Sequence, residues 1–457
     1  MHEQPAPFHR DAKRAVALLL TINLFNYIDR QILSAVSDPL GAEFHLSDAQ
    51  TGLLSTAFLY AYMVGAPILG RLAERVSRWW IIAGSVAVWS IASGLTGFAG
   101  NFAGLSCGFA VLLASRVIVG VGEAGYGPAA PALISDYFPI EKRGKIMALF
   151  YVAIPVGSAL GYVIGGQMNA RFGWRWAFYS VVLPGLLLAV LSWFMREPHP
   201  HRVRAVSTGS LRADARALLR IPSYLLNTAA MTAMTFAIGG IAFWIPKYMQ
   251  QRLAEQRGLW PMWVLDQMQL LRSPHIETQK KELLNEVNTK FGIIVVIAGI
   301  LSTVAGTWLG EKLRPRFSGA YFFVSGIAIA LAFPCTLAML HLPFPYAWTA
   351  VFGAVFFLFF NTGPANTALA NVTSPAMRAT AFAINIFFIH ALGDAISPPL
   401  IGLVKDHTSW ATAFNLVSLM MVLASALWFI GARYLGADTA AVEKIESARD
   451  SEEAKAA

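Results

Sequence analysis

The chain has 457 residues, of which 56% are hydrophobic and only 13% are charged. Soluble domains carry about 25% charged residues, so this composition excludes an ordinary soluble protein and favours a chain that lies in lipid. The formal net charge of +9 is that of many nucleic-acid-binding proteins, but the charges lie mainly between apolar runs, and we expect no nucleic-acid partner. The two cysteines lack metal-ligand spacing, so no metal site is predicted.

Twelve apolar runs follow one another along the chain, and each is long enough to cross a bilayer as a helix. A transmembrane helix needs about 20 largely apolar residues, and lipid admits only helices or closed barrels. The runs show no period-2 alternation, so we predict an all-α membrane protein with twelve transmembrane helices. The predicted spans one to twelve are 15–37, 50–70, 79–100, 109–136, 145–168, 175–195, 223–248, 290–310, 319–340, 346–371, 378–403 and 411–434.

The lysines and arginines between these spans are concentrated in alternate segments. Cytoplasmic segments of membrane proteins carry an excess of these residues. We therefore predict a multi-pass protein of the cell inner (cytoplasmic) membrane with both termini cytoplasmic. The excess of basic over acidic residues is then explained by this orientation, without a nucleic-acid partner.

Similar residues recur at a separation of 236 positions, as in the pairs Gly157 and Gly393 or Trp174 and Trp410. The second pair lies within W-x-x-A-F in both copies. The offset predicts two six-helix halves in parallel repeat, an arrangement in which substrate binds between the halves near the midplane. The predicted segments are a cytoplasmic tail 1–14, a first half 15–195, a cytoplasmic linker 196–222, a second half 223–434 with an extracytoplasmic loop 249–289, and a cytoplasmic tail 435–457.

Four charged side chains lie well inside the predicted spans of the first half, namely Asp29 and Arg30 in span one and Arg116 and Glu123 in span four, whereas the second-half spans carry fewer ionisable groups, mainly His390 and Asp394. Each of the four would cost on the order of 2.5–3.5 kcal/mol at mid-bilayer if it were unpaired. Arg116 and Glu123 are two helical turns apart and share a face. We expect Arg116 to pair with either Asp29 or Glu123, which would control which carboxylate holds a proton. A static ion network between spans one and four is the alternative.

Further residues are candidates because they are polar or aromatic within or beside spans. Those predicted to line a substrate cavity are Asn26, Tyr60, Tyr151, Trp244, Asn361 and His390. His390 also fits a hydrogen-bonded packing role, and nearby Asp394 fits a role in satisfying backbone groups beside "SPP" (397–399).

The segment "GRLAERVSR" (70–78) resembles the signature cytoplasmic loop of the major facilitator superfamily, and "RVIVGVGEAG" (116–125) resembles that family's span-four pattern. "DYFPIEKRG" (136–144) is similar to the family's next inner loop. The resemblance implies an inner gate. The residues expected to form it are Glu74, Arg75, Arg78, Asp136 and Arg143.

Within the superfamily, "NYIDRQIL" (26–33), "GVGEAGYGPAAPALISDYFP" (120–139) and "HALGDAISPPLIG" (390–402) look most like the Spinster family of lipid-related transporters. The resemblance implies transport of lysolipids, sphingoid phosphates or other amphipathic molecules. It also implies proton coupling through a span-one acid and a span-four acid. Asp29 and Glu123 match those positions, and Arg30 and Arg116 match the accompanying cations.

These observations predict a proton-coupled secondary active transporter of an amphipathic, anionic molecule, driven by a proton gradient without another cofactor. Its expected partners are the substrate, membrane lipids and protons, and we expect a monomer. A proton-linked symporter or antiporter of small organic anions or drugs is one alternative, and a lipid scramblase or channel is another. An enzyme is disfavoured because the sequence has no nucleophile–base or metal-ligand cluster, and no catalytic residue is predicted.

Overall fold

The structure is a computed structural model that describes residues 8–73, 75–100, 108–138, 140–197, 211–259, 274–374 and 377–456. Within those ranges the regular structure is helical. The helices are α1 (Phe8–Ala35), α2 (Ser37–Glu43), α3 (Asp48–Leu72), α4 (Arg78–Gly97), α5 (Gly108–Ala124), α6 (Tyr126–Tyr137), α7 (Ile140–Phe172), α8 (Trp174–Trp193), α9 (Leu211–Leu218), α10 (Pro222–Gln256), α11 (Pro274–Leu313), α12 (Ala320–His341), α13 (Tyr346–Phe360), α14 (Thr362–Asn371), α15 (Arg378–Ile389), α16 (Ser397–His407) and α17 (Trp410–Ala456), with a π-helical turn at His390–Asp394.

Eleven helical segments of the described chain are long and apolar enough to cross a membrane. Three of them combine consecutive helices, since α5 with α6, α13 with α14, and α15 with α16 each form one span. Helix α1 carries the charges of Asp29 and Arg30 and is less apolar, and it supplies the twelfth. The predicted all-α class with twelve spans is confirmed.

Two helices are longer than the sequence patterns predicted. Helix α10 continues to Gln256 and α11 begins at Pro274, so much of the predicted loop 249–289 is helical. The run "ETQKKELLNEVNTK" belongs to α11 itself, where Lys281 pairs with Glu277 and Lys290 with Glu286 one turn away. Because this run is polar, the hydropathy pattern did not indicate that it is continuous with span eight. The preceding run "LWPMWVL" (259–265) is typical of an aromatic anchor at the membrane interface, but residues 260–273 lie outside the described residues.

The chain divides into two compact units that differ from the two predicted halves. Unit 1 contains the first half together with Ala242–Val296 and Pro398–Asp406. Unit 2 contains Ala205–Ile241, Ile297–Ser397 and His407–Ala457. Parts of spans seven, eight and eleven therefore pack with the first half. We call the end of unit 1 that carries residues 37–48 the Asp48 end, and the opposite end the Arg78 end.

The repeat is visible in two equivalent helix starts. Trp174 begins α8 and Trp410 begins α17, and each packs against a phenylalanine four residues on, with ring centroids 6.0 Å apart for Trp174–Phe178 and 5.8 Å for Trp410–Phe414. Both phenylalanines are fully buried. The shared W-x-x-A-F pattern thus anchors the same turn in each copy.

Helix α7 packs closely on α1 along a row of glycines. A Cβ atom at Gly157 would lie 2.7 Å from the carbonyl oxygen of Leu24, and one at Gly161 would lie 2.6 Å from that of Ile28. Small residues allow this approach of two backbones, which in lipid replaces the hydrophobic drive for helix association. The row places α7 beside the part of α1 that carries the charges.

We expect Gly161→Leu to destabilise the protein, because overpacking a tight contact costs about 1–3 kcal/mol and the nearest atom is the backbone carbonyl oxygen of Ile28. Thermal unfolding of the purified protein in detergent, followed by tryptophan fluorescence, measures this. Gly84→Leu in α4 is the matched control, since no atom lies within 4 Å of a Cβ built at Gly84. Equal unfolding temperatures for the two variants would contradict the packing role of Gly161.

Candidate functional site

The four charged residues inside the spans lie together in unit 1. Asp29, Arg116 and Glu123 are each 1% exposed, and the side chain of Arg30 is 19% exposed. Helix α1 contributes Asp29 and Arg30, and α5 contributes Arg116 and Glu123. Because Asp29, Arg116 and Glu123 are buried and Arg30 is largely so, their charges are balanced mainly by one another and by nearby polar groups.

The direct ion pair joins Arg30 to Glu123, with Arg30 Nε 2.7 Å from Glu123 Oε2. Asp29 instead accepts a hydrogen bond from the hydroxyl of Ser93 in α4. Adjacent residues on a helix project about 100° apart, so Asp29 and Arg30 reach different neighbours. The expected partner of Glu123 was Arg116, and this structure places Arg30 there.

Arg116 interacts electrostatically with Asp29 and Glu123 but makes no ion pair within 4 Å in the described part of the chain. Its Nε and Nη1 atoms are buried without a hydrogen-bond partner there. One oxygen of each carboxylate, Asp29 Oδ2 and Glu123 Oε1, is also buried without one. The site thus contains unused donors on a cation and unused acceptor atoms on two acids.

Aromatic rings surround the guanidinium of Arg30. The centroids of Tyr27, Phe58 and Tyr62 lie 5.1, 5.0 and 5.2 Å from Arg30 Cζ, and Phe58 also lies 5.3 Å from Arg116 Cζ. Such contacts are worth about 0.5–2 kcal/mol each, more when desolvated. Sequence reasoning missed these three residues, although Phe58 and Tyr62 share a helix face at a spacing of four.

Glycines in α5 allow the helices of the site to approach. A Cβ atom at Gly120 would overlap the carbonyl oxygen of Phe58 in α3, and one at Gly122 would lie 2.7 Å from the backbone nitrogen of Trp89 in α4. The pattern G-x-G therefore brings α5 against both neighbours. This proximity lets Phe58 contact both guanidinium groups.

The predicted cavity residues of unit 1 have different environments. Asn26 is buried and its Nδ2 has no partner among described residues, whereas Tyr60 and Tyr151 are 41% and 53% exposed. Trp244 is fully buried, and its indole N–H donates to the carbonyl oxygen of Pro398 at 2.9 Å. In this structure Trp244 is a packing residue whose surface is inaccessible.

Two predicted cavity residues lie in unit 2. Asn361 is buried and donates from Nδ2 to the carbonyl oxygen of Leu358 at 2.7 Å. His390 Nδ1 lies 3.0 Å from both carboxylate oxygens of Asp394, within the π-helical turn. Asp394 therefore partners His390, a contact that sequence reasoning did not anticipate.

At the Arg78 end, Arg78 pairs with two carboxylates. Its Nη2 lies 2.6 Å from Asp136 Oδ2, and its Nε also pairs with Glu197. Arg78 and Asp136 are thus brought together, and Glu197 is a partner that the sequence did not indicate. Arg75 is exposed. Glu74 and the side chain of Arg143 lie outside the described residues.

A cavity of about 750 Å³ lies at the Asp48 end of unit 1. Its lining includes aromatic residues at the start of α8 and charged residues of α2, α10, α11 and α16. Asp48 lies in it between two lysines, with Lys247 Nζ 2.6 Å from Oδ1 and Lys405 Nζ 2.7 Å from Oδ2. None of the predicted substrate-cavity residues lines this space.

Comparisons with known proteins identify the family. The family model described as "Major Facilitator Superfamily" matches residues 19–396, which include all four buried charges. "Protein spinster homolog 3" of Danio rerio is 34% identical over 409 residues, covering 86% of this chain and 77% of that protein. This chain belongs to the Spinster family of the Major Facilitator Superfamily. It is a multi-pass membrane transporter by family.

"Protein spinster" of Drosophila melanogaster is 32% identical over 400 residues, covering 86% of this chain but 61% of the longer relative. Among solved structures, a bacterial homologue of the human lysosomal transporter Spinster, in an inward-facing and unoccupied conformation, superposes with a TM-score of 0.72. It is 21% identical, and the match covers 96% of this chain and 99% of that one. The likeness to that structure shows the shared fold.

We expect the Arg30–Glu123 pair to show strong energetic coupling. Arg30→Met leaves the buried carboxylate without its partner, a loss of about 3–5 kcal/mol, whereas Arg30→Met with Glu123→Leu removes both charges and recovers most of the stability. Thermal unfolding of the two single variants and the double variant measures the coupling. The more exposed Lys281–Glu277 pair, 2.7 Å apart and one turn along α11, is the control and should couple by no more than about 1 kcal/mol. Equal coupling for the two pairs would show that the burial of the Arg30 site has no special energetic role.

Proposed function

We propose that this Spinster-family transporter is proton-coupled and moves an amphipathic, anionic, lipid-like molecule by alternating access. The substrate class is that of lysophospholipids or sphingoid phosphates. The observation that supports this most directly is the largely buried set of two carboxylates and two guanidinium groups, in which two donor atoms of Arg116 have no partner among the described residues and lie beside an aromatic ring. The proposal requires a proton gradient and no other cofactor, and a monomer suffices.

The chemistry of the site supports a link between proton and anion. When Glu123 is ionised, its carboxylate forms an ion pair with the guanidinium of Arg30. Proton binding to Glu123 removes that negative charge and releases donors of Arg30 for another anion. A substrate head group attracted to Arg30 and Arg116 therefore competes with ionised Glu123, which links substrate affinity to proton occupancy.

The aromatic surroundings support an amphipathic substrate over a small polar anion. Phe58, Tyr27 and Tyr62 place apolar ring surface against the cations. An anion with an apolar tail would bury the tail's surface against rings, gaining about 25 cal/mol for each Å² removed from water.

The orientation in the membrane follows from the distribution of basic residues. Because lysines and arginines are concentrated in the segments predicted to be cytoplasmic, we infer that the Asp48 end faces away from the cytoplasm.

We expect Asp29→Asn to abolish uptake driven by a pH gradient while the protein still folds, because it removes the titratable acid of α1 but keeps its shape. The measurement is accumulation of a fluorescent lysophospholipid in proteoliposomes with and without a pH gradient. Glu43→Gln, which changes a carboxylate outside the site, is the control. Full gradient-driven accumulation by Asp29→Asn would remove Asp29 from the coupling pathway.

Glu123→Gln should mimic the protonated acid, so we expect substrate binding and exchange to persist while their pH dependence disappears. Affinity for lysophosphatidic acid and sphingosine 1-phosphate is measured across the acid-to-neutral range in the wild-type protein and the variant. Unchanged pH dependence in Glu123→Gln would exclude Glu123 as the coupled acid.

The same proteoliposomes separate the other candidate functions. Saturable exchange of lysolipids supports the transporter. Lipid equilibration that does not saturate and needs no gradient indicates a scramblase or channel. Saturable transport of small organic anions with no response to lysolipids would overturn the proposed substrate class.

A further inference from the structure

The backbone of α10 contains a carbonyl group that its own helix does not satisfy. Pro246 lies inside α10 and has no N–H, so the carbonyl oxygen of Ala242, four residues earlier, loses its helical donor. A buried carbonyl oxygen without a donor costs about 1–3 kcal/mol. Another part of the protein must therefore supply a hydrogen bond at this position.

Two hydroxyl groups from other helices supply it. Tyr162 of α7 donates to the Ala242 carbonyl oxygen at 2.6 Å, and the hydroxyl of Ser34 in α1, whose one proton is shared with the next carbonyl, lies 2.9 Å from the same oxygen. The Ser34 hydroxyl also lies 2.8 Å from the carbonyl oxygen of Phe243. Tyr162 and Ser34 are 1% and 3% exposed, so water does not reach them freely.

The position of this contact coincides with a division of the chain. The two compact units divide α10 between Ile241 and Ala242, and Ala242 is the first residue of α10 that belongs to unit 1. The part of α10 that follows the freed carbonyl thus packs with α1 and α7. The proline therefore lies just beyond the point where the helix joins that unit.

Other contacts hold the same end of the unit together. Asn288 of α11 donates to the carbonyl oxygen of Ala35 at 2.9 Å. A Cβ atom at Gly292 would lie 2.7 Å from the carbonyl oxygen of Ala159, so α11 approaches α7 closely. With Asp48 paired to Lys247 of α10, these contacts hold α10 and α11 against helices of the first half at the Asp48 end.

We propose that Ser34 and Tyr162 are positioning residues of the gate at the Asp48 end, because they capture the carbonyl that Pro246 frees in α10. Opening this end separates α10 from α1 and α7, which leaves two hydroxyl groups and one carbonyl oxygen without partners until water enters. Pro246 thereby makes the closed state depend on the other helices and not on α10 alone. The inference rests on the alternating access of the proposed function but not on the substrate or on proton coupling.

The test measures the width of the Asp48 end. Paired spin labels at Ala42 and Glu277, which both line the cavity there, are introduced in a chain whose two cysteines are replaced by alanine. Their distance distribution is recorded in lipid nanodiscs without substrate or pH gradient. We expect Tyr162→Phe to increase the long-distance population about two- to tenfold, the effect of losing one buried hydrogen bond.

Matched variants separate this effect from general destabilisation. Tyr224→Phe removes another buried tyrosine hydroxyl, which donates to the carbonyl oxygen of Ala381 in unit 2, and should leave the distribution unchanged. Ser34→Ala should widen the Asp48 end, whereas Ser34→Thr keeps a hydroxyl and should retain the wild-type distribution. An unchanged distribution in both Tyr162→Phe and Ser34→Ala would overturn the proposal.

The decisive variant is Pro246→Ala, which restores the N–H that can satisfy the Ala242 carbonyl within α10. In that background we expect Tyr162→Phe to have a smaller effect on the distance distribution than in the wild-type background. An equal effect in both backgrounds would show that the hydroxyl acts through some other contact. Because no substrate or proton is involved, these results are independent of the transport assays that test the proposed function.

Discussion

The cost of placing charge in lipid is the constraint on which the functional part of this protein depends. Asp29, Arg30, Arg116 and Glu123 lie well inside the membrane spans of unit 1, and none can keep its charge there without a partner or a polar contact. Arg30 and Glu123 meet in a direct pair, and Asp29 is bound by Ser93. The close approach of α3, α4 and α5 follows from glycines at positions where any side chain would overlap a backbone atom.

Arg116 differs from the other three because two of its donor atoms have no hydrogen-bond partner in the part of the chain that the structure describes. A static structural network would be expected to satisfy every buried donor, since an unsatisfied buried polar group costs as much as the bond it lacks. The combination of unused donors on Arg116 with unused oxygens on Asp29 and Glu123 instead fits a site whose pairing changes. The aromatic rings around Arg30 lower the polarity of its surroundings and so strengthen its interactions.

A similar requirement applies to an uncharged group at the Asp48 end, where a buried backbone carbonyl needs a hydrogen-bond donor. Pro246 removes a helical hydrogen bond from α10, and two hydroxyl groups of the first half replace it. Buried charges at the first site and a backbone carbonyl without its helical donor at the second are thus each satisfied by groups from another helix. Both kinds of contact are selective because a buried charge or carbonyl has few possible partners within hydrogen-bond distance.

The sequence by itself determined the class of fold and the identity of the charged site, because hydropathy and the scarcity of charge decide which residues enter lipid. Asp29, Arg30, Arg116 and Glu123 were recognisable as isolated charges in apolar runs. Which of these residues pair with one another was not recognisable. Residue spacing shows which side chains share a face of one helix, but not how the neighbouring helices are rotated toward that face. Only the tertiary structure assigned Glu123 to Arg30, placed Phe58 beside both cations and buried Trp244. It also brought Tyr162 and Ser34, which are 128 positions apart, to one carbonyl oxygen, because close helix packing and not sequence distance decides which groups meet.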